Sequence, residues 1–149
     1  CLGATCMYFN APFIVTTPEI KRALLQDESV KQCTDVWEHL DIALVGIGAI
    51  GNSQDAIFKS RVESAHALTG RVVMADICGR LIDPDGLIID EAEDVIMAVD
   101  LPTLRKVKEI VGVAGGKGKE KAVLAALLGG HITTLVTDAR CAEYLCSCR

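Results

Sequence analysis

Glycine and lysine are interleaved in Val113-Ala114-Gly115-Gly116-Lys117-Gly118-Lys119-Glu120-Lys121, where an apolar run gives way to a run of strong helix formers. Residues of these types suit phosphate binding. Glycines let backbone N–H groups approach an anion with no Cβ in the way, and the first turn of a helix adds free donors and the positive end of the dipole. Lys117, Lys119 and Lys121 oppose that dipole, with only Glu120 to offset them, so a bound anion would relieve the conflict. A Walker A loop is excluded: Gly118-Lys119 is followed by Glu120 rather than Ser or Thr, and Val113 stands where that motif needs its first glycine.

A second glycine cluster, Gly46-Ile47-Gly48-Ala49-Ile50-Gly51, fits the spacing G-x-G-x-x-G after a strand. Dinucleotide binding also needs a helix directly after the third glycine and an acid about 20 residues on. Here Asn52-Ser53-Gln54-Asp55 follows and Asp76 comes too late, so NAD binding is the weaker expectation. Asp76 is the best candidate for a general base if the chain were an enzyme. His39, His66 and His131 are expected to play ordinary structural or surface roles, and no Ser-His-Asp or Cys-His arrangement is readable. The seven cysteines form an odd set without a secreted-scaffold pattern, which points to a reduced, cytoplasmic setting. Cys141, Cys146 and Cys148 lack a second ligand pair, so no metal and no cofactor are expected.

These groups require elements to position them. Glu109 to Ala114 reads as a buried parallel strand and Glu120 to Leu128 as a helix stopped by Gly129-Gly130. Asp41 to Gly46, Arg71 to Gly79, Val95 to Val99 and Ile132 to Val136 read as further strands, and Cys6 to Phe9 as a short one. Thr17 and Pro18 start a helix over Glu19 to Gln26, and another begins at Ser29. Leu81-Ile82 and Leu87 to Ile89 flank Asp83-Pro84-Asp85-Gly86 as a hairpin. Leu101-Pro102 opens a short helix, and Asp138 caps a last one over Ala139 to Cys146. Ser53 to Arg61 shows little periodicity and reads as a mobile loop, with a short helix over Glu63 to Leu68. Strands and helices alternate, which predicts an α/β fold with a mostly parallel sheet.

With 149 residues and 50% apolar content, the chain can build one domain with a sizeable core. Its net charge of −5 argues against its being a nucleic-acid-binding surface. No apolar stretch approaches the roughly 20 residues needed to cross a bilayer, so no membrane partner is expected. The chain opens on Cys1-Leu2-Gly3-Ala4-Thr5, without an initiator Met or a basic leader, and is expected to be part of a longer polypeptide.

Taken in order, Ala11-Pro12, Leu44-Val45-Gly46-Ile47-Gly48, Ala75-Asp76-Ile77-Cys78-Gly79-Arg80 with Asp85-Gly86, Gly112 to Gly116 with Lys119, and Leu135-Val136-Thr137-Asp138 resemble one family. It is the sugar-binding effector domain of SorC-type (SorC/DeoR) bacterial transcription regulators. The resemblance implies a Rossmann-like three-layer α/β/α fold, similar to glucosamine-6-phosphate deaminase, ribose-5-phosphate isomerase and coenzyme A transferases. It implies a non-catalytic sensor, homodimeric or homotetrameric, that binds a phosphorylated sugar and controls operator DNA through an N-terminal helix-turn-helix domain. Neither that domain nor the first part of the effector domain has a counterpart here, so residues 1–149 would be a partial binding domain. By position, Lys119 with Gly115 and Gly116 would meet the phosphate. Asp76 would accept from sugar hydroxyls, Gly46 and Gly48 would line the pocket floor, and Lys59 or Arg61 would meet a second anionic group. Ala75 departs from the usual glycine before the acid. A sugar-phosphate isomerase or deaminase of the same fold is the competing expectation.

Overall fold

The computed structural model describes residues 3–51, 56–89 and 95–148. The chain divides into two compact units, Cys1–Leu40 with Ala92–Lys106, and Asp41–Glu91 with Val107–Arg149.

The first unit carries α1 (Pro18–Leu25), α2 (Glu28–Trp37) and α4 (Leu101–Lys106). Thr17 caps α1 by accepting from Ile20 N–H, and Asp27 caps α2 by accepting from Ser29 N–H, as short oxygen-bearing side chains do at helix starts. Val15, Val30 and Met97 form the unit's core, and the rings of Phe9 and Trp37 pack 5.2 Å apart. Two expected strands are absent here. Residues 6–9 are not in a ladder, and residues 95–99 contribute only an isolated antiparallel bridge between Ile14 and Ile96. In both segments side-chain packing, rather than strand pairing, accounts for the apolar residues that suggested strands: Phe9 meets Trp37, and Val95 and Met97 enter the core.

The second unit holds two sheets. β1 (Ile42–Gly46), β6 (Glu109–Val113) and β7 (Thr134–Val136) form a parallel sheet in the order β1-β6-β7. β2 (Gly48–Ala49), β3 (Ala75–Ile77), β4 (Arg80–Ile82) and β5 (Ile88–Ile89) form an antiparallel one. The expected strand over 71–79 is therefore limited to its last part and turns back at Cys78-Gly79 into β4. Helix α5 (Glu120–Leu128) packs on β3 and β2, and α6 (Ala139–Ser147) packs on α5. Both match the expected helices; Asp138 caps α6 through Cys141 N–H.

The segment expected to be a mobile loop is largely helix: α3 spans Ala56–Thr69, while residues 52–55 lie outside the described part. Phe58, Val62 and Ala65 recur at helical spacing and pack with Val73, Leu81 and Ile89. Intervening Lys, Ser, Arg and Glu residues obscure that stripe in the sequence. The glycine cluster after β1 is likewise not a dinucleotide turn. Gly46 ends β1 and Gly48 already belongs to β2, so the chain passes between sheets within two residues, and the following described helix starts at Ala56.

The Asp83-to-Gly86 turn forms as expected, with Gly86 N–H donating to Asp83 O at 3.1 Å. Buried Asp83 accepts from Asp85 N–H at 3.0 Å and Leu87 N–H at 2.8 Å, and its other oxygen pairs with Arg71. Asp83→Asn keeps one acceptor oxygen and loses the ion pair, and should cost about 1–2 kcal/mol of unfolding free energy by urea titration. A midpoint equal to that of the parent chain would show that the pair adds nothing to stability.

Candidate functional site

The site gathers where β1 and β6 end and β2 and β3 begin to pair. Antiparallel register places Asp76 opposite Gly48. A Cβ on Gly48 would stand 3.2 Å from Asp76 Oδ1, so glycine here keeps space over the carboxylate. Lys119, at the N-cap of α5, reaches to the end of β1 and donates to Ile47 O at 2.8 Å. Its ammonium is close enough to act on the charge of Asp76.

From α3, Arg61 turns inward and donates through Nη2 to Gly79 O at 2.8 Å. Arg80, only 3% exposed, donates to Cys78 O at 2.6 Å and also faces Asp76 electrostatically. Three cations thus surround one carboxylate. Burial nevertheless dominates and pushes the Asp76 carboxyl up to about 6, against the opposing pull of Arg61, the Gly79 N–H, Arg80 and Lys119. Burial also lowers the Arg61 pKa, a change resisted by Asp76 and reinforced by Arg80.

Hydrogen bonding within the cluster is incomplete. Asp76 Oδ2 and Arg61 Nε and Nη1 are buried without partners, as is Thr137 Oγ1 just past β7. Buried polar groups are nearly always paired in folded proteins, so an acceptor and donors left open beside one another mark a place for an exogenous polar molecule. An open acceptor can receive a hydroxyl group, and the surrounding positive charge can hold an anion.

The glycine-lysine loop lies at the end of β6. Gly116 N–H donates to Asp138 at 2.5 Å, and Gly115 faces the same carboxylate. The Gly116 and Cys141 N–H groups hold the Asp138 carboxyl below its usual range, the former more strongly. Of the expected site residues, Gly48, Asp76, Arg61 and Lys119 come together. Gly46 ends β1 one residue before the Ile47 carbonyl that Lys119 meets, and Gly115 and Gly116 lie in the loop after β6 against Asp138. Lys59 does not join: it is exposed on α3 and lines a cleft of about 150 Å³ with Ile50, Gly51, Phe58, Val62 and Glu63. Two positions apart on a helix, Lys59 and Arg61 cannot share a face. Sequence reasoning did not assign Arg80 to the site, although Cys78-Gly79, a two-residue turn directly after Asp76-Ile77, was a signal for it, since that turn returns Arg80 opposite Ile77. No group of His, Cys, Asp and Glu among the described residues could hold a metal ion.

The arrangement defines a Rossmann-like α/β domain with a cation-rich polar site at the carboxyl ends of parallel strands, the place where open α/β sheets bind ligands. Residues 1–147 match the family model described as "Putative sugar-binding domain", and the chain belongs to that family. It is 32% identical over 139 residues to the sorbitol operon regulator of Klebsiella pneumoniae, covering 90% of this chain and 44% of that protein. It is 33% identical over 148 residues to transcriptional regulator LsrR of K. pneumoniae subsp. pneumoniae, covering 92% and 45%. The crystal structure of the full-length sorbitol operon regulator SorC from K. pneumoniae superposes with a TM-score of 0.77 at 31% identity, covering 90% of this chain and 44% of that one. The chain therefore spans less than half the length of these relatives. They bear out the SorC-type resemblance and the Rossmann-like α/β class, and as named regulators they give the enzyme alternative no support.

Proposed function

We propose that this chain is the ligand-sensing part of a sugar-responsive bacterial transcription regulator and binds a phosphorylated sugar. The observation that carries this reading is the cluster of Arg61, Arg80 and Lys119 around Asp76, with an acceptor and donors left unpartnered in it. Lys119 would leave Ile47 O for the phosphate, a stronger, charged acceptor. Asp76 would accept from sugar hydroxyls over the space left by Gly48, and Gly46 would form part of the same floor. Arg61 would meet a further oxygen of the ligand.

The site offers no reaction in this reading. Ligand binding favours one arrangement of the whole regulator over another, and operator affinity shifts by the difference in ligand affinity between the two. DNA contact belongs to a helix-turn-helix segment elsewhere in the polypeptide, and residues 1–149 supply part of the effector domain. The regulator works in the cytoplasm as a homodimer or homotetramer. Among the described residues no helix is long and apolar enough to cross a membrane.

A thermal-shift screen against pentose and hexose phosphates, with the parent sugars as controls, tests this. One sugar phosphate should raise the melting temperature more than its parent sugar does. Lys119→Ala should weaken that binding by about 2 kcal/mol, some thirtyfold in Kd, and lower the unliganded melting temperature only modestly, through the hydrogen bond lost at Ile47 O. Equal affinity in the variant would remove Lys119 from the site.

A further inference from the structure

The loop between β6 and α5 already holds carboxylates on its backbone donors. Glu120 accepts from Gly118 N–H at 2.9 Å and pairs with Arg140 Nε at 2.9 Å. Its own backbone N–H is the largest influence holding its carboxyl below the usual range. One carboxylate thus receives a backbone donor just before α5 and a guanidinium from α6. Asp138 occupies the neighbouring donor, Gly116 N–H, while its other oxygen caps α6 through Cys141 N–H at 2.8 Å.

The two carboxylates differ in how they can be moved. Displacing Asp138 would strip α6 of its cap. Glu120 is tied to α6 through Arg140, a side chain that is itself a good partner for an anion. Beside Glu120 lies a cavity of about 420 Å³, lined also by Gly118, Lys121 and Tyr144, into which its side chain can swing.

We propose that Glu120 is a built-in competitor for the anionic group of the ligand, and that Arg140, released when Glu120 is displaced, becomes a ligand contact. This rests on the reading of the glycine-lysine loop as the phosphate edge of the effector site. A phosphomonoester presents more acceptor oxygens and more charge than a carboxylate, so it can take the Gly118 N–H together with the guanidinium. Occupancy would then replace the direct α5–α6 ion pair with one made through the ligand. That makes α6 the element that registers binding, and only an anionic ligand can trigger it.

The test is calorimetric titration of the 149-residue chain with glucose 6-phosphate and with inorganic phosphate, comparing the parent with Glu120→Gln, Glu143→Gln and Glu120→Gln/Arg140→Ala. Glu143 lies on the exposed side of α6 and supplies the same change of charge without a loop contact. Glu120→Gln should tighten binding of at least one probe about tenfold, Glu143→Gln should leave it unchanged, and the double variant should lose about tenfold relative to Glu120→Gln. Melting temperatures measured alongside identify any variant whose fold has changed. In that event Glu120→Asp, which is too short to hold the same contacts, replaces it and should also bind more tightly. Binding by the parent that Glu120→Gln leaves equal or weaker would overturn the competitor while leaving the sensor reading intact. Equal tightening by Glu143→Gln would also overturn it, since net charge would then explain the gain. A further loss of less than twofold in the double variant would remove Arg140 as a contact. No binding of either probe by any variant would overturn this proposal, whereas the sensor reading would still be decided by the wider sugar-phosphate screen.

Discussion

Gly86→Ala should destabilise the fold by about 3–5 kcal/mol at 25 °C. Gly86 holds φ at +83°, a left-handed conformation that costs a residue with a Cβ roughly 1–2 kcal/mol. Space adds a second penalty. A Cβ on Gly86 would lie 2.2 Å from Gly129 N, 2.6 Å from Gly129 Cα and 2.7 Å from Ala125 O, all backbone atoms at the end of α5. Backbone cannot rotate aside as a side chain can, so the turn and the helix would have to separate, at about 1–3 kcal/mol or more. The same contact joins His131 Nε2 to Gly86 O at 2.7 Å, and that bond would be lost with it. Together these amount to about 3–5 kcal/mol, a large part of the 5–15 kcal/mol by which domains are usually stable. Urea unfolding followed by circular dichroism checks the result. A shift in midpoint worth less than about 1 kcal/mol would mean that the hairpin and α5 do not meet as described.

That contact illustrates which features the sequence carries and which it conceals. The Pro84-Asp85-Gly86 turn was legible because local conformation demands those residue types. The meeting of Gly86 with Gly129, which lies 43 positions on, was not, because no local rule links the two. Helices α1, α5 and α6 were legible for the same local reason: Thr17, Asp138 and the Gly129-Gly130 stop sit where caps and breaks belong. Helix α3 was concealed because its buried stripe is thin and flanked by polar residues, and with it went the distinction between Arg61 and Lys59. Once the helix exists, one turns toward Asp76 and the other away. The glycine-lysine loop was recognisable from its composition, yet the carboxylates resting on it were not. Asp138 read only as a helix cap and Glu120 only as a partial offset to the lysines, since their contacts with Gly116 and Arg140 depend on how β7 and α6 return to the loop.

Asp76→Asn should stabilise the unliganded protein while impairing it as a receptor. The folded state holds the Asp76 carboxyl near a pKa of about 6, above its ordinary 3.8, chiefly because burial disfavours its charged form. The sign follows from proton binding. Between these two pKa values the folded chain holds a proton that the unfolded chain has released, so this residue lowers stability progressively as pH rises from about 4 to 6. Near neutral pH the full penalty of about 3 kcal/mol is present, and below about pH 4 it vanishes. Asparagine resembles the protonated acid in shape and charge, so the variant should gain about that amount at neutral pH and almost nothing in acid. Urea titrations at both ends of the range measure the difference. A gain that is the same at both would mean that the charge of Asp76 is not its source, and a loss at neutral pH would mean that the cations around Asp76 need its charge in order to pack. Sugar binding should move the other way. Asparagine presents a single carbonyl acceptor in place of a carboxylate, so discrimination of a sugar phosphate from inorganic phosphate should fall while affinity for phosphate itself is kept. A buried carboxylate that weakens the empty fold but is required by the ligand is expected of a receptor site, where the bound molecule supplies the partners that the protein leaves open. Equal losses for both anions would place Asp76 outside hydroxyl recognition and leave the positive cluster alone to account for binding.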